Sequence, residues 1–178
     1  LEVGGGMHSE EQYLVRLLGE AVGGRIHLGR SSGDLGAVAR RVSQRDRLID
    51  LMLQVNVLRS AVLDVAAANF DTVMPGYTHS QHAQPETLGH VLLGWASALE
   101  RDFQRAGDAY GRVNQSPAGA AIMTGNNFAI DRHRTADLLG FDGVIRNTHD
   151  AILTQDVALD TFLAVASVNL NLSRWASD

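Results

Sequence analysis

Apolar residues recur at three- and four-residue steps through most of this chain, and its three prolines are kept out of those runs. That pairing constrains the fold more than any other feature, because a 3.6-residue period is the mark of a helix with a buried stripe. The cleanest run is Leu88, Val91, Leu92, Trp95, Leu99, Phe103, Ala106, Tyr110 and Val113, with Pro85 just upstream and Glu86 and Thr87 expected in its first turn. A second run, from Asp34 to about Phe70, carries Val38, Val42, Leu48, Met52, Val55, Leu58, Val62 and Val65, with Asp34 read as its N-cap. Glu10 to Ala21 predicts a shorter helix ended by Gly23-Gly24. Asp131 is expected to cap another through Leu139, stopped by Gly140, and a last long helix is expected from Thr148 to the chain end. Strand signals are nearly absent. The expected fold is all-α, a bundle of long helices. Ile49, Leu51, Met52 and Leu53 put apolar side chains on more than one face, so those helices need many neighbours, which oligomerisation would supply.

Composition removes several chemistries. The 178 residues include no cysteine, and all fifteen Lys-plus-Arg positions are Arg. Thiol nucleophiles, disulfides, cysteine-ligated metals and lysine-based catalysis are excluded within this sequence. A net charge of −5 without a basic stripe gives no reason to expect a nucleic-acid partner. No uninterrupted apolar run reaches the ~18 residues of a membrane span, and no secretory apolar region opens the chain. A soluble cytoplasmic protein is the expectation. Residues 1–9 are expected to be a tag remnant or flexible lead, with fold from residue 10 to 178.

Three polar, Gly-rich segments fall where the helical pattern stops. The first runs from Gly23 to Asp34 and holds Arg30, Ser31, Ser32 and Asp34. Glycines there allow close backbone approach, and hydroxyls with N–H groups at a helix start can hold an anion; a capped helix-to-helix turn is the plainer reading of this loop alone. The second, Met74 to Pro85, contains Tyr77, Thr78, His79, Ser80, Gln81, His82 and Gln84. Adjacent Thr78 and His79 could place a carboxylate beside a proton-transfer group, and imidazole suits acid–base work near neutral pH. An ordinary loop is the plainer reading. His79 and His82 at i, i+3 would need a third metal ligand, and none is close in sequence, so neither metal nor cofactor is expected. The third, Asn114 to Phe128, is rich in small and amide residues. It reads either as a ligand contact or as a tightly packed connection.

These segments resemble the argininosuccinate lyase branch of the fumarase/aspartase superfamily. Met74 to His90 reads MPGYTHSQHAQPETLGH, against the family pattern PGYTHxQxAQPxTxGH. The likeness continues through Leu99-Glu100-Arg101-Asp102, Arg112 to Ala120, Phe128 to Arg132, Leu138 to Asp142, and the last helix from Asn147 to Arg174. The resemblance implies a helical homotetramer around a central bundle, with active sites shared between subunits. It implies elimination of an amine from an N-substituted aspartate, argininosuccinate or a related compound, with release of fumarate and no cofactor. Carried over by position, Thr78 holds a substrate carboxylate and His79 takes part in proton transfer or leaving-group stabilisation. Tyr77, Gln81 and Gln84 fall on motif positions, as do Arg30, Ser31 and Asp34 of the first motif.

The first motif departs from the family's HTGRSRND. Leu28, Ser32 and Gly33 stand where the family has Thr, Arg and Asn. Ser32 cannot supply the rigid bidentate clamp of a guanidinium, which points toward another N-substituted aspartate, or toward a non-catalytic paralogue on the same fold. The family's GSSxMPxKxN loop, with its serine base, is absent from these residues. The expectation is therefore a central portion of a lyase subunit that is inactive alone.

Overall fold

The computed structural model describes residues 8–177, so the expected lead at residues 1–9 falls, up to residue 7, outside them. The fold is all-α, with seven helices among the described residues and two small two-stranded sheets. In chain order these are α1 (Ser9–Leu18), α2 (Glu20–Gly23), α3 (Ser32–Ala68), β1 (Val73–Thr78), β2 (Gln81–Thr87), α4 (Leu88–Val113), β3 (Gln115–Ser116), α5 (Arg132–Leu138), β4 (Gly143–Val144), α6 (Thr148–Leu153) and α7 (Asp156–Trp175). Two compact units share them. The first runs to Arg45 and takes in Arg112–Val157; the second comprises Asp46–Gly111 and the chain from Ala158.

The helices form where the apolar period places them, except that the expected Glu10–Ala21 helix breaks at Gly19, φ 78°, into α1 and α2, and the others differ at their ends. The α3 helix has 37 residues, about 55 Å at 1.5 Å per residue. It starts earlier than expected, and Ser31 rather than Asp34 is its cap: the Asp34 N–H donates to Ser31 Oγ at 3.1 Å. The α4 helix begins after Thr87, whose Oγ1 accepts the His90 N–H at 3.2 Å, so Glu86 and Thr87 belong to β2 and not to the first helical turn. Asp131 caps α5 as expected, accepting the Arg134 N–H at 3.0 Å. The last helix is two. Asn147 caps α6, which stops at extended Thr154, and α7 restarts at Asp156.

In the second unit the core is Val55, Leu99 and Val168, with Leu51, Leu58, Val62, Phe103 and Trp175 against it. Trp95 stacks on Trp175, ring centroids 4.9 Å apart. Asp102 is fully buried here. Its carboxylate accepts from Ser167 Oγ at 2.6 Å, Asn171 Nδ2 at 2.7 Å and Arg105 Nη1 at 2.8 Å, tying α7 to α4. In the first unit, Arg41 donates to the Arg112 and Val113 carbonyls at the C-terminal end of α4, and Arg45 to those of Leu139 and Gly140 just past α5. Cations suit helix C-termini, where the backbone carbonyls lack partners.

An 18-residue stretch of α3 has a mean hydropathy of 1.4, enough by length and composition to cross a membrane. The measure is an average, and polar and charged residues such as Asn56, Arg59 and Asp64 interrupt α3, so no uninterrupted apolar run of that length is present. Arg59 is held by Glu100 at 2.9 Å and by the Ala96 carbonyl at 3.2 Å. A helix apolar on several faces whose cation is bound by a neighbouring helix reads as a bundle element.

Candidate functional site

The polar segment between the two prolines, expected to be a loop, is a β-hairpin. Val73 pairs with Thr87, Met74 with Glu86, Pro75 with Pro85, Tyr77 with His82 and Thr78 with Gln81, with a bulge between Pro75 and Tyr77. Gly76 fills the bulge, and a Cβ there would lie 2.9 Å from both the Gln84 carbonyl oxygen and Glu86 Oε1. His79 and Ser80 form the two-residue turn, and both have positive φ, 50° and 60°. A turn of this kind favours Asn-Gly, because other side chains crowd the backbone there. Placing His and Ser at these positions stores strain on the order of 1 kcal/mol per residue, the kind of local cost that clusters at functional sites.

The expected site residues of this segment come together on the hairpin. Tyr77, Thr78, His79, Gln81 and Gln84 are all exposed. Tyr77 Oη lies 3.3 Å from His82 Nε2, with the rings 4.9 Å apart, which braces the strands beside the turn. A cleft of about 770 Å³ is lined by Thr78, His79 and Ser80 from the hairpin, Val91 and Trp95 from α4, and Arg174 from α7. A second cleft, about 580 Å³, opens beside Tyr77, Thr78, Gln84 and His90. Hydroxyls, amides, imidazole and a guanidinium around an apolar floor can bind a small anion and move a proton next to it.

The other expected residues, Arg30, Ser31, Ser32 and Asp34, lie in the first unit with the third segment. Ser31 has two roles: its Oγ caps α3 and donates to the Ala121 carbonyl at 2.8 Å. Ser32 and Gly33 form the first helical positions of α3. Asp34 is 1% exposed, and its Oδ2 accepts the backbone N–H groups of Gly119 and Ala121, each at 3.2 Å. Burial pushes the Asp34 carboxyl above its ordinary value of 3.8, against the lowering pull of these two N–H groups and of Arg30 and Arg132. A carboxyl so enclosed holds the third segment in place.

The first half of the third segment, Asn114 to Ala121, is tightly packed, while Ile122 to Phe128 is exposed or half-buried. Asn114, Ser116, Pro117, Ala118, Ala120 and Ala121 are buried. Ser116 Oγ accepts the Ala118 N–H, and Asn114 Oδ1 accepts from Arg45 at 3.0 Å. Arg132 donates to the Ala118 and Ile145 carbonyls. Gly119 has φ 78°, and a Cβ on it would stand 2.7 Å from Arg132 Cγ, so this position requires glycine on two counts.

Sequence reasoning assigned no role to Asp102 or Arg132. Their signal, an ionisable side chain on an apolar helix face or beside a Gly-rich turn, becomes visible only once their partners are placed.

Similarity to known proteins agrees with the geometry. The family model described as Lyase matches residues 4–178. The argininosuccinate lyase of Methanosarcina barkeri is 44% identical over 170 residues, covering 96% of this chain and 35% of that protein. The argininosuccinate lyase of Halobacterium salinarum is 49% identical over 156 residues, covering 88% and 32%. Among solved structures, EDDS lyase in complex with formate superposes with a TM-score of 0.90 at 37% identity, covering 95% of this chain and 34% of that one. An EDDS lyase variant with bound fumarate matches equally well. The chain spans about a third of the length of the relatives it matches. With nearly every residue inside the match, the chain belongs to the Lyase family, as an argininosuccinate lyase-like member of the fumarase/aspartase superfamily.

Proposed function

We propose that the full-length protein is a carbon–nitrogen lyase that eliminates an amine from an N-substituted aspartate and releases fumarate. The observation that carries this reading is the strained turn that presents His79 next to Thr78, on the motif the chain shares in sequence with argininosuccinate lyases. Thr78 Oγ1 donates to a substrate carboxylate, and His79 handles the proton as the carbon–nitrogen bond breaks. Tyr77, Gln81 and Gln84 line the bound dicarboxylate. Removing a proton next to a carboxylate builds negative charge on that carboxylate, which hydrogen-bond donors must stabilise.

Arg30 and Ser32 supply a cationic and a hydroxyl donor at the start of α3, while Ser31, its hydroxyl proton taken by the Ala121 carbonyl, and Asp34 fix the loop beside them. In this reading the enzyme is a cytoplasmic homotetramer whose active sites are shared between subunits, with the serine base on a segment beyond these residues. The apolar exposure of Val57, Phe162, Leu163 and Leu170 on α3 and α7 supports partner helices from other copies. Alone, these 178 residues would not turn over substrate.

The test is a panel of N-substituted aspartates, argininosuccinate among them, given to the full-length protein with fumarate followed by its ultraviolet absorbance. Release from at least one supports the proposal, and release from none contradicts it. A non-catalytic paralogue is the second reading, favoured by Ser32 and Gly33 in place of the family Arg and Asn. It predicts stable tetramers that bind neither fumarate nor succinate.

A further inference from the structure

We propose that His8, Glu11 and His27 form a binding site for a divalent transition-metal ion of the zinc type. The site lies in the first unit, between the first turn of α1 and the turn segment that leads into Arg30 and Ser31. His27 opens the first motif shared with the lyases, but the lyase reading gives it no metal; the chain's spacing hides the cluster, because His27 arrives from a separate segment.

The geometry is that of three donors around one point. His8 Nδ1 lies 3.8 Å and His27 Nδ1 3.9 Å from the same oxygen, Glu11 Oε2, and one donor atom from each residue falls within 4.8 Å of the others. The imidazole rings meet edge to face, centroids 5.0 Å apart. His8 occupies the N-cap position of α1 without making a cap bond, so its side chain is not engaged with the helix end. Glu11 stands one turn on, at i, i+3, on the same face.

Hydrogen bonding does not account for the cluster. Both nitrogen–oxygen separations exceed hydrogen-bond length by well over half an ångström. His27 Nδ1 is buried and has no hydrogen-bond partner, the single such side-chain atom among the described residues. Buried polar atoms are nearly always satisfied, so an orphan nitrogen facing a carboxylate asks for a third party. A zinc ion with bonds of 2.0–2.2 Å holds tetrahedral ligands about 3.4 Å apart, a contraction of roughly half an ångström from the two histidine–glutamate distances, with the two imidazole donors, within 4.8 Å of each other, closing by a side-chain rotation. Two imidazoles and a carboxylate suit zinc and its first-row neighbours, and leave a coordination position for water. Magnesium and calcium want oxygen donors throughout and fit poorly.

Binding would clip α1 to the segment preceding Arg30, and so hold the approach to α3. The experiment is a titration of the chelator-stripped full-length protein with Co²⁺, read by its visible d–d bands, followed by displacement with Zn²⁺. One ion per chain is expected, with a dissociation constant on the order of micromolar and a rise in Tm on loading. Glu11→Gln and His27→Ala should each weaken binding by about thirtyfold or more, while His149→Ala leaves it unchanged. His8→Ala, which removes no helix-cap bond, provides a third variant should either of the others fail to fold. Absence of d–d bands at millimolar Co²⁺, or binding that survives the folded triad variants, would overturn the proposal.

Discussion

The Asp34 carboxylate receives the backbone N–H of Ala121 at 3.2 Å across 87 residues of sequence, and it does so fully out of solvent. With the Gly119 N–H on the same oxygen and Ser31 Oγ on the Ala121 carbonyl, the first and third polar segments are laced into one body. This lacing lets a loop of small residues hold positive-φ backbone at Gly119 and Ala121.

Asp34→Ala should therefore destabilise the protein by about 2–4 kcal/mol, because two buried N–H groups lose their acceptor. Asp34→Asn keeps a carbonyl oxygen for them and should cost much less. The pH dependence separates the two effects. The Asp34 carboxyl titrates above its ordinary 3.8 in the fold, so the folded state holds the proton more tightly than the unfolded state. Wild-type stability should then fall relative to Asp34→Asn as pH rises from near 4 through the raised value, and level off above it. Urea unfolding of both proteins across that range reads the difference.

At the hairpin turn, Ser80→Gly should stabilise the protein by about 0.5–1 kcal/mol, since glycine takes a φ of 60° without crowding. His79→Gly should stabilise it similarly and abolish turnover in the full-length enzyme. Thermal unfolding beside the fumarate assay checks both. A loss of stability on either change would mean that the turn is not strained.

Asp102 is the polar hub of the second unit. Asp102→Ala should cost about 2–3 kcal/mol, because it leaves the half-buried Ser167 and Asn171 donors without their acceptor. Ser167→Ala alone should cost about 1 kcal/mol. Denaturant midpoints of the two variants give the comparison.

Gly119→Ala should destabilise by about 1–3 kcal/mol, since the new methyl group meets Arg132 Cγ at 2.7 Å in a left-handed conformation. Arg132→Ala in the same chain should relieve the clash but not the backbone strain, so the double variant's cost should be less than the sum of the two.

The helices were legible because one stripe of apolar residues, such as Leu92, Leu99 and Val113, decides both period and burial. Their ends were less so. Ser31 and Asp34 are both good cap residues, and only the position of Ala121 decides which side chain turns to the helix start and which turns away. The hairpin was hidden because QHAQPET has no apolar alternation and its turn lacks Asn-Gly; its register rests on Gly76 and on two prolines facing each other. The break between α6 and α7 was masked by apolar residues that continue in step on both sides of Thr154 and Gln155. Within the candidate site, the motif placed Thr78 and His79 on one segment, but the enclosure of Asp34 depends on a contact that no local pattern encodes.

The most direct measurement is steady-state fumarate release by the full-length enzyme with His79 replaced by Asn, on whichever N-substituted aspartate the wild type accepts. The account predicts a fall in kcat of about 10²–10⁴-fold with the fold intact by circular dichroism. Turnover within a factor of two of wild type would contradict it.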